Sequence, residues 1–402
     1  MKTYKALLLE NIDDAAAVAL REAGIEVDTR SGSLKGAELL DALDGIDILG
    51  IRSKTQVRSE IFDTFPDLVA VGCFCIGTDQ VDVTEAGRRG VAVFNSPFSN
   101  TRSVAELTIA EIVALHRRLH ERSADLHSGL WKKTAVGAHE VRGRTLGIVG
   151  YGHIGSQLSV LAEAFGMKVI YHDITPRMSI GNAQSMNSLD AVLAKSDVLS
   201  LHVPDTHATR NLIGARELAL MPQGSMLINN ARGTVVDLEA LAAALRNGHL
   251  SGAAVDVFQS EPKANDEPFE TPLSGIPNVI LTPHIGGSTR EAQQAIAKDT
   301  AEKIRRYIIE GSTLTSKSVP QVDLPSPRPN QSRILHFHRN VPGVLSRLHA
   351  VLAELGVNIN AEYLQSDPET SYVILDIDPG QDVAVKNGIS SIEETIRMRT
   401  LF

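Results

Sequence analysis

The chain has only two cysteines and one tryptophan among its 402 residues, and aromatic side chains make up only 4% of it. The two cysteines, Cys73 and Cys75, lie within the apolar stretch LVAVGCFCIG. Two cysteines at this spacing form neither a disulfide framework nor a four-ligand zinc site. On a strand both would point to the same face, so we interpret them as reduced thiols packed in a core, and we expect no metal.

The sequence also lacks long uncharged apolar runs and an excess of positive charge. Even LTIAEIVAL is interrupted by Glu111, well short of the roughly 18 residues that a membrane span requires. The first apolar run stops at Glu10, too early for the core of a signal peptide. A net charge of -9 argues against a surface that binds a polyanion. We therefore expect a cytoplasmic protein without nucleic-acid or membrane partners.

Short runs rich in Val, Ile and Leu alternate with helical patterns over residues 1 to 285. Nearly continuous apolar strands separated by helices indicate parallel sheets that are covered on both faces. Ten strand candidates are many for one sheet, so we predict two α/β domains. The candidates are KALLL, DILGI, LVAVGCF, VAVFN, TLGIVG, KVIYHD, VLSLHV, SMLINNA, AAVDVF and NVILTPH.

Two long helical patterns are interpreted as the crossings between these domains. The first is predicted to open near Ser103, where Ser103 and Glu106 fit a capping box, and to run through VAELTIAEIVALHRRLHERSADLH. The second begins at Ser288 and ends at Gly311, a residue type that commonly terminates helices. With two crossings, the first domain is expected to be discontinuous.

The crossings predict a flavodoxin-like α/β substrate domain with a Rossmann-type nucleotide-binding domain inserted in it. Prolines crowd the stretch LTSKSVPQVDLPSPRPN, which is typical of a semi-rigid linker. Beyond it, the order strand, helix, strand, strand, helix, strand is the ferredoxin-like motif. The predicted boundaries are 1–99 and 287–318 for the substrate domain, 100–286 for the nucleotide-binding domain, 319–330 for the linker and 331–402 for the terminal domain.

A dinucleotide-binding pattern follows the strand TLGIVG. Gly150, Gly152 and Gly155 permit a tight turn, close approach of a pyrophosphate and close packing of helix on strand, respectively. The amides at the start of the helix would hold the phosphates. Asp173 ends the next strand, 18 residues beyond Gly155. A carboxylate there accepts hydrogen bonds from ribose hydroxyls and repels a 2'-phosphate, so the pattern predicts NAD rather than NADP.

Three polar residues follow later strands: Arg232 in NNARGTVVD, Glu261 in DVFQSEP and His284 in LTPHIGGST. The carboxyl ends of strands in a doubly wound sheet meet at one crevice. Oxidation of a 2-hydroxy acid needs a base, a cation for the carboxylate and a nicotinamide; histidine and arginine suit the first two roles. A neighbouring glutamate would favour the imidazolium. Each residue alone could equally be a loop surface group, and the combination carries the prediction.

The sequence resembles the D-isomer-specific 2-hydroxyacid dehydrogenases over essentially the whole chain, and most closely the bacterial members that act on 3-phosphoglycerate. The similar stretches are CFCIGTDQVD, FNSPFSNTRSVAE, GIVGYGHIGSQL, SLHVP, ARGTVVD, AVDVF and LTPHIGGST. The resemblance implies that Arg232 binds the substrate carboxylate, that Glu261 pairs with the histidine and that His284 is the acid/base. It further implies NAD contacts at Gly150, Tyr151, Gly152, His153, Ile154, Gly155, Asp173, His202, Val203, Pro204, Thr209, Ala231, Arg232, Asp256, His284, Gly286 and Gly287.

The stretches GIRSKT and SNTRS bear on the choice of substrate. Arg52 and Lys54 follow a strand, and a second anion on the substrate requires such a cation. Without the resemblance, the interpretation of these residues as solvated loop cations is favoured. Because family members that act on 3-phosphoglycerate carry similar stretches, the resemblance implies substrate binding by Arg52, Ser53 and Asn100.

The terminal stretch HFHRNVPGVLSRLHAVLAELGVNINAEYLQ resembles an ACT domain, a small module that binds amino acids, usually between two copies. The resemblance implies that His338, Asn340 and Asn358 hold L-serine as a feedback inhibitor. The whole chain is then expected to oxidise D-3-phosphoglycerate to 3-phosphohydroxypyruvate at the entry to serine synthesis, as a homotetramer, with side activity on 2-oxoglutarate. The alternatives are a glyoxylate or hydroxypyruvate reductase and a non-enzymatic NAD(H)-sensing protein.

Overall fold

The computed structural model of the chain forms two compact units. One comprises Met1–Ser99 and Gln293–Phe402, and the other comprises Asn100–Ala292. The structure describes residues 2–262, 266–323, 325–326, 328 and 330–401. None of the helices in these ranges is both long enough and apolar enough to cross a membrane.

The first unit contains a parallel sheet of five strands. Its strands are β1 Lys5–Leu8, β2 Glu26–Thr29, β3 Ile48–Ile51, β4 Ala70–Cys73 and β5 Ala92–Asn95, and its helices are α1 Asp14–Glu22, α2 Gly36–Ala42, α3 Ser59–Thr64 and α4 Val83–Arg88. The order β2-β1-β3-β4-β5 is flavodoxin-like, which confirms the prediction. The sequence analysis missed β2, because its residues EVDT are largely polar and lie at the sheet edge.

The second unit contains a parallel sheet of seven strands. The strands are β6 Thr145–Val149, β7 Lys168–His172, β8 Gln184–Ser185, β9 Val198–Leu201, β10 Ser225–Asn229, β11 Leu250–Val255 and β12 Val279–Leu281. The helices are α5 Thr101–Arg117, α6 Leu119–His127, α7 His153–Ala164, α8 Leu189–Leu193, α9 Ala215–Leu220 and α10 Leu238–Arg246. The order β12-β11-β10-β9-β6-β7-β8 confirms the Rossmann-type sheet, whose strand order reverses between β6 and β9.

Two separate cores cover the faces of this second sheet. Leu146 and Ile148 of β6 pack in one core with α5 and α7, whereas Val149 packs in the other with α8, α9 and α10. Successive side chains of a strand point to opposite faces, so an almost wholly apolar strand such as TLGIV serves both cores. The sheet therefore presents only its strand ends to a ligand.

The first long helix differs from its prediction. It begins at Thr101, and the expected capping box is wrong, because the Ser103 hydroxyl donates to the carbonyl of Gly286 at 2.7 Å. The helix also ends early, at Arg117, and the left-handed backbone of Arg118 (φ 51°) separates α5 from α6. The second long helix, α11 Arg290–Glu310, stops before Gly311 (φ 80°), as expected.

The C-terminal segment forms the predicted βαββαβ motif. Its elements are β13 Ser332–Arg339, α12 Val344–Glu354, β14 Ile359–Ser366, β15 Thr370–Ile377, α13 Asp382–Ser390 and β16 Thr395–Leu401. The sheet is antiparallel in the order β14-β15-β13-β16. The three-domain division with a linker at 319–330 stays a prediction, and Leu324, Pro327 and Pro329 of that linker lie outside the described residues.

One face of the C-terminal sheet shares a core with the rest of the first unit. Phe337 and Tyr372 stack at 4.0 Å between ring centroids and belong to the same buried cluster as Leu8 of β1 and Ile304 of α11. The other face packs against α12 and α13. The terminal module is therefore built into the first unit rather than attached only through the connecting segment.

Two buried arginines join the C-terminal sheet to the end of α11. Arg333, only 1% exposed, forms a bidentate ion pair with Asp376 at 2.6 and 2.8 Å. Its Nη1 donates to the carbonyl of Glu310 at 2.8 Å, and Arg399 donates to the carbonyl of Tyr307 at 3.0 Å. Cations at a helix C-terminus satisfy carbonyls that have no partner within the helix and interact favourably with its dipole.

Arg333→Ala should destabilise the protein by about 3 to 5 kcal/mol, because it leaves the Asp376 carboxylate buried without its partner. Arg88→Ala is the matched control, since Arg88 forms an exposed ion pair with Glu369, in the turn between β14 and β15. Differential scanning calorimetry should show a lower melting temperature for Arg333→Ala than for the wild type. The melting temperature of Arg88→Ala should be almost unchanged. Equal melting temperatures for the two variants would contradict this role of Arg333.

Candidate active site

The glycine turn between β6 and α7 has the form that a dinucleotide requires. A Cβ on Gly150 (φ 90°) would lie 2.5 Å from the carbonyl oxygen of His202, and one on Gly155 would lie 2.3 Å from that of Gly150. A Cβ on Gly152, in contrast, would have no atom of the described residues within 4 Å. Gly152 is thus not required by the protein's own packing, which fits close approach of a pyrophosphate to the backbone.

Asp173 lies just beyond β7, next to this turn. Its carboxylate accepts hydrogen bonds from the amides of Tyr151 and Thr175, both at 2.8 Å, and Arg177 lies 3.7 Å away. The carboxylate is therefore held at the carboxyl end of the sheet beside the glycine turn. This is the place from which an acidic group binds ribose hydroxyls, so the residues present fit NAD.

The loop after β9 carries the next group of predicted cofactor contacts. His202 Nε2 lies 2.9 Å from the Ser200 hydroxyl, and burial lowers the pKa of His202 to about 4, so this imidazole is neutral. Thr209 donates to the carbonyl of Pro204 at 2.6 Å and closes the loop. Direct contact of His202, Val203, Pro204 and Thr209 with the cofactor stays a prediction.

His284 and Glu261 form the central pair of the site. His284 Nδ1 lies 3.0 and 2.8 Å from the two carboxylate oxygens of Glu261, and the Phe258 amide donates to the same carboxylate at 3.1 Å. The histidine has a left-handed backbone (φ 55°), a conformation uncommon for residues other than glycine. Because Nδ1 faces the carboxylate, Nε2 is the ring nitrogen left to exchange a proton.

The two partners shift each other's protonation. The hydrogen bond with Glu261 raises the pKa of His284 and outweighs partial burial, which lowers it. Burial raises the pKa of Glu261, but the hydrogen bonds from His284 and the Phe258 amide outweigh it, and the net shift is downward. The arrangement therefore favours an imidazolium beside a carboxylate, which is the state that a proton-accepting histidine reaches in a reaction.

Arg232 follows β10 in the same unit. Its Nη1 donates to the carbonyl of Ala231 at 2.7 Å, and its positive charge lowers the pKa of both Glu261 and His284. Arg232, Glu261 and His284 follow β10, β11 and β12, which are neighbours in the sheet. The three residues therefore come together at one end of it, as the sequence analysis expects of parallel strands.

Asp256 anchors the loop that carries the histidine, a role that sequence reasoning missed. Its buried carboxylate accepts hydrogen bonds from the Thr282 hydroxyl at 2.6 Å, the Ile285 amide at 2.8 Å and the Gly286 amide at 2.7 Å. His284 lies between these donors, so its position depends on Asp256. A contact of Asp256 with the nicotinamide stays a prediction.

Glu111 and Asn230 form a second buried pair that sequence reasoning missed. Asn230 donates to the Glu111 carboxyl at 2.6 Å, and burial raises the pKa of Glu111 to about 7. Asn230 stands two residues before Arg232, so the pair ties the arginine's loop to α5. The available signal was the combination of an acid in the apolar stretch LTIAEIVAL with a second asparagine in NNARG.

The predicted substrate residues lie in both units. Arg52 and Ser53 follow β3 in the first unit, whereas Asn100 precedes α5 in the second. Asn100 is buried, and a Cβ on Gly287 would lie 2.6 Å from its Nδ2, so it packs beside the loop of His284. Substrate binding by these three residues stays a prediction.

The predicted effector residues lie around the start of the C-terminal module. His338 is buried near the end of β13, and within the described part of the chain its Nε2 has no hydrogen-bond partner. Asn340 donates to the carbonyl of Asp367 at 2.7 Å, and Asn358 precedes β14. The described residues include no cluster of three or more His, Cys, Asp or Glu side chains suited to a metal ion.

Comparison with known proteins identifies relatives of the whole chain. Residues 109–286 match the family of the D-isomer specific 2-hydroxyacid dehydrogenase, NAD binding domain, and residues 334–397 match the AHAS small subunit-like ACT domain. The chain is 47% identical over 399 residues to D-3-phosphoglycerate dehydrogenase from Haemophilus influenzae, a match that covers 99% of this chain and 97% of that enzyme. The chain belongs to the D-3-phosphoglycerate dehydrogenase family.

A second relative supports this assignment, and a solved structure supports the fold of an NAD-dependent dehydrogenase. The D-3-phosphoglycerate dehydrogenase of Dictyostelium discoideum is 48% identical over 398 residues, which cover 99% of this chain and 97% of that enzyme. The structure of D-lactate dehydrogenase from Aquifex aeolicus complexed with NAD and lactic acid has a TM-score of 0.65 at 28% identity, and covers 75% of this chain and 95% of that chain. The predictions of an NAD-dependent oxidoreductase and of a C-terminal ACT domain are thereby confirmed.

The glycine turn yields a test of cofactor binding that does not depend on turnover. Gly152→Ala should retain the melting temperature, because its Cβ meets open space, yet it should lose affinity for NADH at least tenfold, a loss of about 1.4 kcal/mol. Gly155→Ala is the matched control. It should lower both the melting temperature and the affinity for NADH, because its Cβ would collide with the Gly150 carbonyl. NADH fluorescence titration and thermal melts measure the two quantities. Unchanged affinity in Gly152→Ala would refute the assigned phosphate contact.

Glu261→Gln should lower the pKa of His284 toward the ordinary value of histidine, because it removes the charged partner that raises it. At a pH just below the wild-type pKa of His284, the wild-type imidazole should be mostly protonated, whereas the variant imidazole should be mostly neutral. Imidazole NMR titration measures this directly. Glu362→Gln is the control, since Glu362 is also a glutamate paired with a histidine, the Nε2 of His349 in the C-terminal module. If the titration of His284 is the same in Glu261→Gln and the wild type, the coupling is absent.

Proposed function

We propose that this enzyme oxidises D-3-phosphoglycerate to 3-phosphohydroxypyruvate with NAD, as the first step of L-serine synthesis. The observation that carries the proposal is the His284–Glu261 pair, beside Arg232 and in the same sheet as the glycine turn. Two of the three proteins named above are D-3-phosphoglycerate dehydrogenases that match nearly the full length of the chain. The chemistry of the site and the family agree.

Each residue of the site has a distinct part in this reaction. Arg232 holds the substrate carboxylate with its planar guanidinium and so orients the hydroxyl toward the histidine. His284 accepts the hydroxyl proton on Nε2, and Glu261 stabilises the resulting imidazolium through Nδ1. In the reverse direction the imidazolium returns this proton to the carbonyl oxygen. NAD, when bound, supplies the acceptor for the hydride that leaves the carbon bearing the substrate hydroxyl.

The substrate's phosphate is assigned to Arg52 and Ser53, with Asn100 as a further substrate contact. The loop Arg52 to Thr55 follows β3, and the side chains of Arg52 and Lys54 form no hydrogen bond or ion pair with the described residues. Two cations without an intramolecular partner are suited to an anionic ligand. Reduction of 2-oxoglutarate, which is also dianionic, is part of the proposal.

The ACT module is assigned a regulatory role. The buried His338 Nε2 has no hydrogen-bond partner in the described structure, and the side-chain amides of Asn340 and Asn358 are the other polar groups assigned to the ligand. A histidine and two amides can bind both the ammonium and the carboxylate of an amino acid. We assign L-serine as the ligand, a homotetramer as the assembly and the cytoplasm as the location.

The central test follows NADH consumption with 3-phosphohydroxypyruvate. The wild type should turn over, and His284→Ala should lose about 10²- to 10⁴-fold in kcat while still binding NADH, because it lacks the acid/base. His349→Ala, which breaks the matched histidine–glutamate pair in the C-terminal module, should retain the wild-type rate. Near-normal activity of His284→Ala would refute the mechanism.

The same assay separates the alternatives and tests the effector. Turnover of glyoxylate or unphosphorylated hydroxypyruvate alone would identify a reductase of that kind, and NADH binding without any turnover would identify a sensing protein. Added L-serine should slow the wild type but not His338→Ala. An unchanged wild-type rate with serine would reject the effector assignment and leave the catalytic one intact.

A further inference from the structure

Glu10 is a buried carboxylate that has no part in the reaction described above. It lies just beyond β1, is 7% exposed and has a left-handed backbone (φ 62°), as does Asn11 (φ 51°). Its amide donates to the carbonyl of Gly32 at 3.1 Å. Two successive residues other than glycine in this conformation indicate a strained turn that the surrounding structure maintains, and such turns concentrate at functional sites.

The carboxylate of Glu10 binds the backbone of the loop that carries the assigned phosphate contacts. One oxygen accepts a hydrogen bond from the amide of Lys54 at 3.0 Å, and the other accepts one from the amide of Thr55 at 2.7 Å. A buried carboxylate with an amide on each oxygen is a charge-assisted arrangement, stronger than an ordinary backbone bond. Glu10 therefore fixes the carboxyl-terminal half of this loop.

Gln80 holds the other half of the loop. Its side-chain amide, which is buried, donates to the carbonyl of Arg52. The backbone groups of Arg52, Lys54 and Thr55 thus bond inward to Glu10 and Gln80. The Ser53 and Lys54 side chains are exposed and that of Arg52 is half-buried, so the loop presents side chains rather than amides to a ligand.

We propose that Glu10 is a positioning residue that makes the enzyme selective for a phosphorylated substrate by holding Arg52, Ser53 and Lys54 in place. This inference rests on the proposed function, in which the loop binds the phosphate. Without its hydrogen bonds, the amides of Lys54 and Thr55 would compete with the side chains for the anion.

A purely structural carboxylate would behave differently, and the chain supplies one for comparison. Asp47 is also buried in the same sheet, and its carboxylate accepts a hydrogen bond from the amide of Lys5 at 2.9 Å. It directly precedes β3, at the amino end of this central strand, whereas the loop follows the carboxyl end. Asp47→Asn therefore controls for the loss of a buried carboxylate–amide bond at β1 without an effect on the loop.

The experiment compares NADH-dependent reduction of 3-phosphohydroxypyruvate and of unphosphorylated hydroxypyruvate. Glu10→Gln should raise KM for the phosphorylated substrate about tenfold, the equivalent of about 1.4 kcal/mol, with kcat within about twofold. KM for hydroxypyruvate should stay within about twofold, and Glu10→Asp should recover part of the loss. Asp47→Asn should leave both KM values near the wild type. An equal rise of both KM values in Glu10→Gln, or no rise, would overturn the proposal.

Two further variants keep the test decisive. If Glu10→Gln does not fold, Gln80→Leu releases the Arg52 end of the loop and should produce a smaller rise that is again confined to the phosphorylated substrate; no such rise would overturn the proposal. Arg52→Ala separates this inference from the function beneath it. If Arg52→Ala leaves KM unchanged, the phosphate assignment fails and the inference with it. If Arg52→Ala raises KM and Glu10→Gln does not, only the positioning role fails.

Discussion

The site depends on the three hydrogen bonds that the buried Asp256 carboxylate accepts from the loop after β12. These bonds hold His284 in a left-handed conformation, which would otherwise be unfavourable, and so place its ring against Glu261. The pKa shifts of both partners follow from that contact. A charged acceptor suits this task, because hydrogen bonds to a carboxylate are roughly twice as strong as neutral ones and a buried carboxylate without donors would be strongly unfavourable.

A carboxylate that follows one strand and binds amides of the loop after the neighbouring strand occurs at two other places in the two parallel sheets. Asp173, after β7, binds an amide of the loop after β6, and Glu10, after β1, binds two amides of the loop after β3. In all three cases the two strands are neighbours in the sheet. A carboxylate at the end of one parallel strand reaches the next loop, where amides that have left the ladder lack partners. The loops assigned to the cofactor, the acid/base and the phosphate are therefore each anchored by the neighbouring strand.

Most of the fold and the chemical groups could be predicted, and the errors have physical causes. Nearly continuous apolar runs identified ten strands, whereas the edge strand EVDT has no apolar alternation to reveal it. The capping box at Ser103 failed because that hydroxyl bonds the Gly286 carbonyl, a partner 183 residues away. The motif AVDVF suggests Asp256 only as a cofactor contact. Its hydrogen bonds to Thr282, Ile285 and Gly286 show that it also anchors the loop of His284. Glu111 interrupted an apolar run, and nothing in that run indicated Asn230 as its partner.

The types and order of most elements, the glycine turn and the residues available for chemistry could all be predicted from the amino-acid sequence. Periodicity, glycine conformation and side-chain chemistry are local properties, so they can be read from neighbouring residues. Three features required the folded structure: the core that the C-terminal sheet shares with β1 and α11, the pairing of each carboxylate with the loop it anchors, and the direction in which the pKa of His284 shifts. These features arise from burial and from contacts between residues far apart in the chain, and a shift in any one strand register would change them.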